Sequence, residues 1–147
     1  MAEISYPASA EIAAPIEVVF AYRLDFAKLP AYNPSVTNLR QVAGDGPGKG
    51  AEYVFDLTLA EGADPIESPL RVIEVDEPTR VVIESGPGFM ARETCTFTAT
   101  SSGTRCDFDT VLSFPGEIDA ASADAVRAQG LAQVQLELDL MKKNLEG

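Results

Sequence analysis

Residues 15–43, PIEVVFAYRLDFAKLPAYNPSVTNLRQVA, decide the fold, because the spacing of their apolar residues changes partway along. Pro15 stands where a helix tolerates proline, in its first turn, and Ile16, Val19, Phe20 and Tyr22 then share one broad helical face. DFAKLPAY (25–32) reads as a second short helix, stopped near Pro30 and Pro34. From Val36 the period drops from 3.6 to 2, and VTNLRQVA (36–43) reads as a strand.

Strand signals continue downstream. AGDGPGKG (43–50) is a turn, without the following helix a phosphate-binding loop needs. In EYVFDLTLA (52–60), Tyr53, Phe55, Leu57 and Leu59 share one face, the alternation of a half-buried antiparallel strand. IESPLRVIEVD (66–76), RVVIES (80–85), FMARETCTFTAT (89–100) and TRCDFDTVLSF (104–114) follow, each set off by turn residues, so a meander of hairpins is expected. Upstream, residues 3–13 read as a first strand. Residues 119–146 read as one long helix, with Leu131, Val134, Leu138, Met141 and Leu145 at spacings of 3 and 4. The order predicts an α+β domain over residues 1–147. A curved antiparallel sheet of about seven strands carries two short helices after strand 1, and the C-terminal helix covers the sheet. One helix is narrow against so wide a sheet, so an internal cavity is expected beneath it.

Composition narrows the function. With 46% hydrophobic and 23% charged residues, the chain is an ordinary globular one. A net charge of −12 with no basic cluster larger than Lys142-Lys143 argues against nucleic acid and anionic membranes as partners. No apolar run is long enough to span a bilayer and no export signal is evident, so a cytoplasmic location is expected, with the oligomeric state, monomer or homodimer, left open. The chain has no His, which removes His-based triads and metal sites; no metal or cofactor is expected. Cys95 and Cys106 fall on the same inferred face of facing strands and read as two reduced, buried thiols in preference to a disulfide.

Several motifs together carry a resemblance. VVFAYRLDFAKLPAYNPSV, with Val19, Phe20, Asp25, Leu29, Pro30, Tyr32, Asn33 and Pro34, resembles the helical insert of the START-related superfamily, whose fold is the helix-grip. VIEVDEPTRVVIE (72–84), GTRCDFDTVLSF (103–114) and LELDLMKKNLEG (136–147) are similar to that superfamily's hairpin, final strand and terminal helix, so the likeness spans essentially the whole chain. Within it, the bacterial polyketide cyclase/dehydratase and lipid-transport group is the best general match. Tyr32 stands where Trp is common. The resemblance implies a small hydrophobic ligand, a lipid, polyketide or quinone-like molecule, held between sheet and C-terminal helix.

The candidate site residues follow from strand parity and helix spacing. Tyr53, Phe55, Leu57, Phe97, Phe108 and Leu112 on the strands, Leu131, Val134 and Leu138 on the long helix, and Tyr22 and Tyr32 in the insert are candidates for the ligand site; each can equally be core. Glu93 shares parity with Phe89, Ala91, Cys95, Phe97 and Ala99 and is the candidate acid or base, unless it reaches solvent or pairs with an Arg. Arg71 is a candidate pocket cation if Ile73 and Val75 point inward, a register that a bulge at Pro69 would reverse. Tyr53 completes the catalytic candidates. Two functions remain: a carrier or sensor of a hydrophobic ligand, and a cyclase or dehydratase that uses the carboxylate, Arg and Tyr for proton transfer. The absence of Trp weighs against the second, since the superfamily's aromatase-cyclases resemble sites built from Arg, Tyr and Trp.

Overall fold

A computed structural model describes residues 2–147. Strand β1 (Ala2–Ile12) leads into helix α1 (Ile16–Leu24) and a 3₁₀ segment (Phe26–Ala31). Strands β2 (Val36–Ala43), β3 (Glu52–Leu57), β4 (Ile66–Asp76), β5 (Arg80–Ser85), β6 (Ala91–Thr100) and β7 (Gly103–Phe114) follow, with a short 3₁₀ turn at Pro87–Phe89, and helix α2 (Ala120–Glu146) ends the chain. The sheet is seven-stranded in the order β1-β7-β6-β5-β4-β3-β2, with every neighbouring pair antiparallel. Among the described residues, only the β1–β7 pair joins strands distant in sequence, so the sheet is a meander closed by its own first strand. This is the helix-grip architecture expected from the order of periods.

Alternation places the core. Ile4, Tyr6, Ala8 and Ile12 of β1 are buried, as are Cys95 and Phe97 of β6 and Cys106 and Phe108 of β7. Phe20 of α1 packs edge-on against Phe97 at 5.7 Å, and Phe97 against Phe108 at 6.1 Å, so α1 is docked by an aromatic run that crosses two strands. Cys95 and Cys106 are free and buried. Burial pushes the Cys106 thiol up to about 12 and holds the Cys95 thiol well above the usual thiol range, which keeps both unreactive.

Helix α2 lies along β1, the edge strand, and masks its outer side. Arg127 donates to the Ser5 carbonyl at 3.3 Å, Gln135 to Ser9 at 3.4 Å and Lys142 to Glu11 at 2.9 Å. These carbonyls share one parity, so they point the same way, and the helix donors are spaced to meet them. The C-terminal turn is held further: the Glu146 carboxylate accepts from the Ala13 amide at 2.8 Å, and Asn144 donates to the Tyr22 hydroxyl and the Ala31 carbonyl. Asp119 caps the other end by accepting from the Ser122 amide at 2.8 Å.

Two local differences from the periodic reading have a physical cause. The β4 register shifts between Val72 and Glu74, so the irregularity lies at Ile73 and not at Pro69. Before it the inward residues are Ser68, Leu70 and Val72, and parity counted back from Val75 across such a bulge is inverted. Strand β6 starts at Ala91, because Phe89 adopts a φ of 53° within the preceding turn and leaves the strand's alternation.

Gly130 faces the sheet where α2 lies against Tyr6 of β1. A Cβ there would collide with the Tyr6 ring. Alanine normally favours a helix over glycine by about 1 kcal/mol. Gly130→Ala is nonetheless expected to lower stability by about 1–3 kcal/mol, since α2 or the Tyr6 ring must move. A denaturation midpoint equal to or above wild type would contradict this close contact.

Candidate functional site

Helix α1 buries Val19, Phe20 and Arg23, a stripe with spacings of one and three. The stripe carries Arg23 into the interior, where its side chain is only 2% exposed. A guanidinium so deep costs several kcal/mol in lost hydration unless partners surround it. Its Nη2 pairs with Glu93 of β6 in a very close contact, and its Nη1 reaches Glu137 of α2 at 3.0 Å and the Tyr32 hydroxyl at 3.3 Å. Phe108, Phe26 and Tyr32 set their rings 4.6, 5.1 and 5.7 Å from the guanidinium carbon. Asn33 donates to the second Glu137 oxygen at 2.6 Å, and the Thr110 hydroxyl lies 3.5 Å from the second Glu93 oxygen. The Cys95 thiol donates to Glu93 at 3.3 Å.

This cluster borders a cavity of about 350 Å³ between the sheet and α2. Phe26, Leu29, Phe55, Leu70, Ile83 and Leu112 contribute to its apolar wall, and Tyr6, Asn33, Glu93, Thr110 and Glu137 join Arg23 at the polar part. Burial pushes the Glu137 carboxyl up; Arg23 opposes this and Glu93 adds to it. Burial, helped by Glu93, pushes the Tyr6 phenol up to about 12, so it stays protonated and can donate. The Tyr32 phenol is raised as well, chiefly by burial.

Of the residues expected from sequence, Glu93, Phe55, Leu57, Leu112 and Val134 border the cavity. Phe97, Phe108 and Leu138 are buried in the core instead, and Tyr53 is buried against Phe26 at 6.1 Å. Tyr32 lies behind Arg23, and Tyr22 sits beside the end of α2, bonded to Asn144. Leu131 is 37% exposed and lines a separate surface groove with Pro7, Ala8 and Ala132. Arg71 is a correction. It points away from the cavity, pairs with Glu84 at 2.8 Å on the neighbouring strand and stacks on Phe89 at 3.8 Å, because the bulge at Ile73 sets the opposite parity for this part of β4.

Sequence reasoning missed Arg23 and Glu137. The signals were there in the spacing: Arg23 is four residues after Val19 and three after Phe20, and Glu137 is three after Val134 and four before Met141. A charge on each of two apolar helix stripes, opposite in sign, is what a buried pair leaves in a sequence.

The sequence model of the family described as polyketide cyclase / dehydrase and lipid transport matches residues 3–146, and the chain belongs to that family. Among solved structures it is similar to the di-domain ARO/CYC StfQ from the steffimycin biosynthetic pathway, with a TM-score of 0.82 at 14% identity, covering 98% of this chain and 51% of that one. It is also similar to the di-domain ARO/CYC BexL from the BE-7585A biosynthetic pathway, with a TM-score of 0.79 at 17% identity, covering 99% and 50%. The chain thus spans about half the length of these two proteins. A protein of unknown function from Staphylococcus aureus, SA2116, aligns with a TM-score of 0.78 at 9% identity, covering 99% of this chain and 94% of that one. These likenesses concern the fold. A search of curated protein sequences finds no match.

Two predictions follow from the cluster's electrostatics. Glu93→Gln removes the closest counter-charge of a buried guanidinium and is expected to cost about 3 kcal/mol in a denaturant titration; an unchanged midpoint would contradict the pairing. The folded protein holds the Glu137 proton more tightly than the unfolded chain does. Its contribution to stability therefore falls as pH rises above the ordinary Glu value of about 4.3. Glu137→Gln should remove that downward slope, read as the difference between wild-type and variant stability across pH; parallel curves would contradict it.

Proposed function

We propose that the protein binds a small, mainly apolar molecule in the cavity between the sheet and α2, as a carrier or sensor, with residues 1–147 forming one ligand-binding unit. The observation that carries this reading is the character of the lining: apolar walls of Phe, Leu and Ile with the charged groups gathered in a single cluster. A volume of about 350 Å³ sits at the small end of the roughly 300–1,000 Å³ usual for ligand pockets. Membership of a family described by both cyclisation and lipid transport supports the same reading.

Filling the cavity tests it. Ala91 lines the wall opposite Leu112 on the adjacent strand. Ala91→Phe is expected to weaken binding of a neutral apolar fluorophore more than about tenfold while costing no more than about 1–3 kcal/mol of stability. Unchanged binding by this variant would refute the cavity as the site.

A second reading, a cyclase or dehydratase, is favoured by one observation: the two cavity carboxyls occupy unlike settings. Glu93 is held against Arg23, whereas burial raises the Glu137 carboxyl. Two carboxyls set apart in this way are the pattern of a base and an acid at one site. One carboxylate would take a proton from the carbon between two carbonyls of a bound β-ketone. The enolate carbon would add to a more distant carbonyl of the same chain, whose oxygen takes the proton of the protonated carboxyl and becomes a hydroxyl. The carboxylate left behind would then remove the second proton from that carbon, while the carboxyl protonated in the first step gives its proton to the departing hydroxyl, which leaves as water and restores both groups. On this reading Glu137→Gln lowers turnover of a poly-β-ketone substrate by about 10²–10⁴-fold, with binding retained. Full turnover in the variant would remove Glu137 from the chemistry, and no turnover by the wild-type protein would leave the carrier reading alone.

A further inference from the structure

Charge is distributed unevenly in depth across the cluster. The Arg23 side chain is 2% exposed, that of Glu93 10% and that of Glu137 15%. The cation is recessed and the carboxylates stand in front of it. Both guanidinium Nη atoms are engaged, by Glu93, Glu137 and Tyr32, and the Nε atom is buried without a partner. Three aromatic rings lie about the guanidinium. Among the described residues, no Lys and no other Arg lines the cavity. What the cavity presents to a ligand is therefore carboxylate oxygen. One such oxygen is under-used: Glu93 Oε2 has only the long 3.5 Å contact from Thr110.

We infer that the cavity selects its ligand by head group, taking an apolar molecule that ends in a hydrogen-bond donor, a hydroxyl or an ammonium, and rejecting the carboxylate-headed form of the same molecule. This rests on the ligand-binding reading above and narrows it to one ligand class. A donor head completes the open valence of Glu93 Oε2 or shares Glu137 with Asn33. An anionic head meets two carboxylates, and the one cation that could compensate is already paired behind them. The neutral donors of the lining, Tyr6 and Gln133 among them, offer hydrogen bonds to an anion but no charge to balance it. Fatty acids are excluded on this ground, whereas phenols, alcohols and amines of similar size are admitted.

The experiment compares naphthylmethanol, naphthylmethylamine and naphthoate, which share one ring system, by calorimetric titration of the wild-type protein at neutral pH. The alcohol and the amine are expected to bind, and naphthoate at least about tenfold more weakly than the alcohol. Glu137→Gln, which removes one of the two carboxyls that face the ligand, should narrow that gap by strengthening naphthoate. Naphthoate binding as well as the alcohol to the wild-type protein would overturn head-group selection and leave the hydrophobic-ligand reading standing. Failure of all three probes would overturn both. A gap unchanged in a folded Glu137→Gln variant would overturn the assignment of the selection to these carboxylates.

Discussion

Placing Arg23 in the interior is the constraint around which the site is organised. An unaccompanied guanidinium at that depth would outweigh a large part of a domain's net stability. Its partners come from three separate places: Glu93 from the middle of the sheet, Glu137 from the C-terminal helix, and Tyr32 from the short insert after α1. Satisfying one charge therefore fixes where α1, β6 and α2 stand relative to one another. Hydrophobic packing of Phe20, Phe97 and Phe108 brings these elements together without direction; the ion cluster adds direction.

The cavity is a product of the same geometry. Helix α2 meets β1 closely at Gly130 and Tyr6, and its donors run along the β1 edge. It is thus set over one side of a sheet seven strands wide, and the space toward β3, β4 and β5 is left to apolar side chains that do not fill it. The cluster closes the part of this space where α1 reaches across. An acidic lining at one end and an apolar wall elsewhere follow from where the two helices can touch the sheet.

The architecture was legible in the sequence because it rests on periodicity. The change of period at Val36, the repeated turn residues and the spacing of Val134, Leu138 and Met141 are each properties of neighbours in the chain. The inward orientation of Glu93 was legible for the same reason, since β6 alternates without interruption from Ala91 to Phe97. Arg71 was misread because alternation carries information only as far as the next bulge, and Ile73 lies in one. Arg23 and Glu137 were overlooked for a different reason: each looks like a tolerated polar residue at the border of an apolar stripe. Their meaning appears only when segments 114 residues apart are brought together. Leu131 shows the rotational side of this limit. The helix turns Gly130 toward the sheet because the Tyr6 ring needs that space, which swings Leu131 out to the surface.

The sharing of Arg23 among α1, β6 and α2 also divides the cavity into a part that can vary and a part that cannot. Side chains such as Leu57, Ala91, Leu112 and Val126 touch the cavity and belong to no buried ion cluster, so their size can change at the modest cost of local repacking. Arg23, Glu93 and Glu137 serve the interior and the ligand at once, and a substitution that altered the recognised head group would also loosen the joints between helices and sheet. A lineage built on this chain has a wide range of ligand shapes open to it. A change in the polarity of what it recognises requires coordinated replacement at three positions, or stability in reserve before the first of them is made.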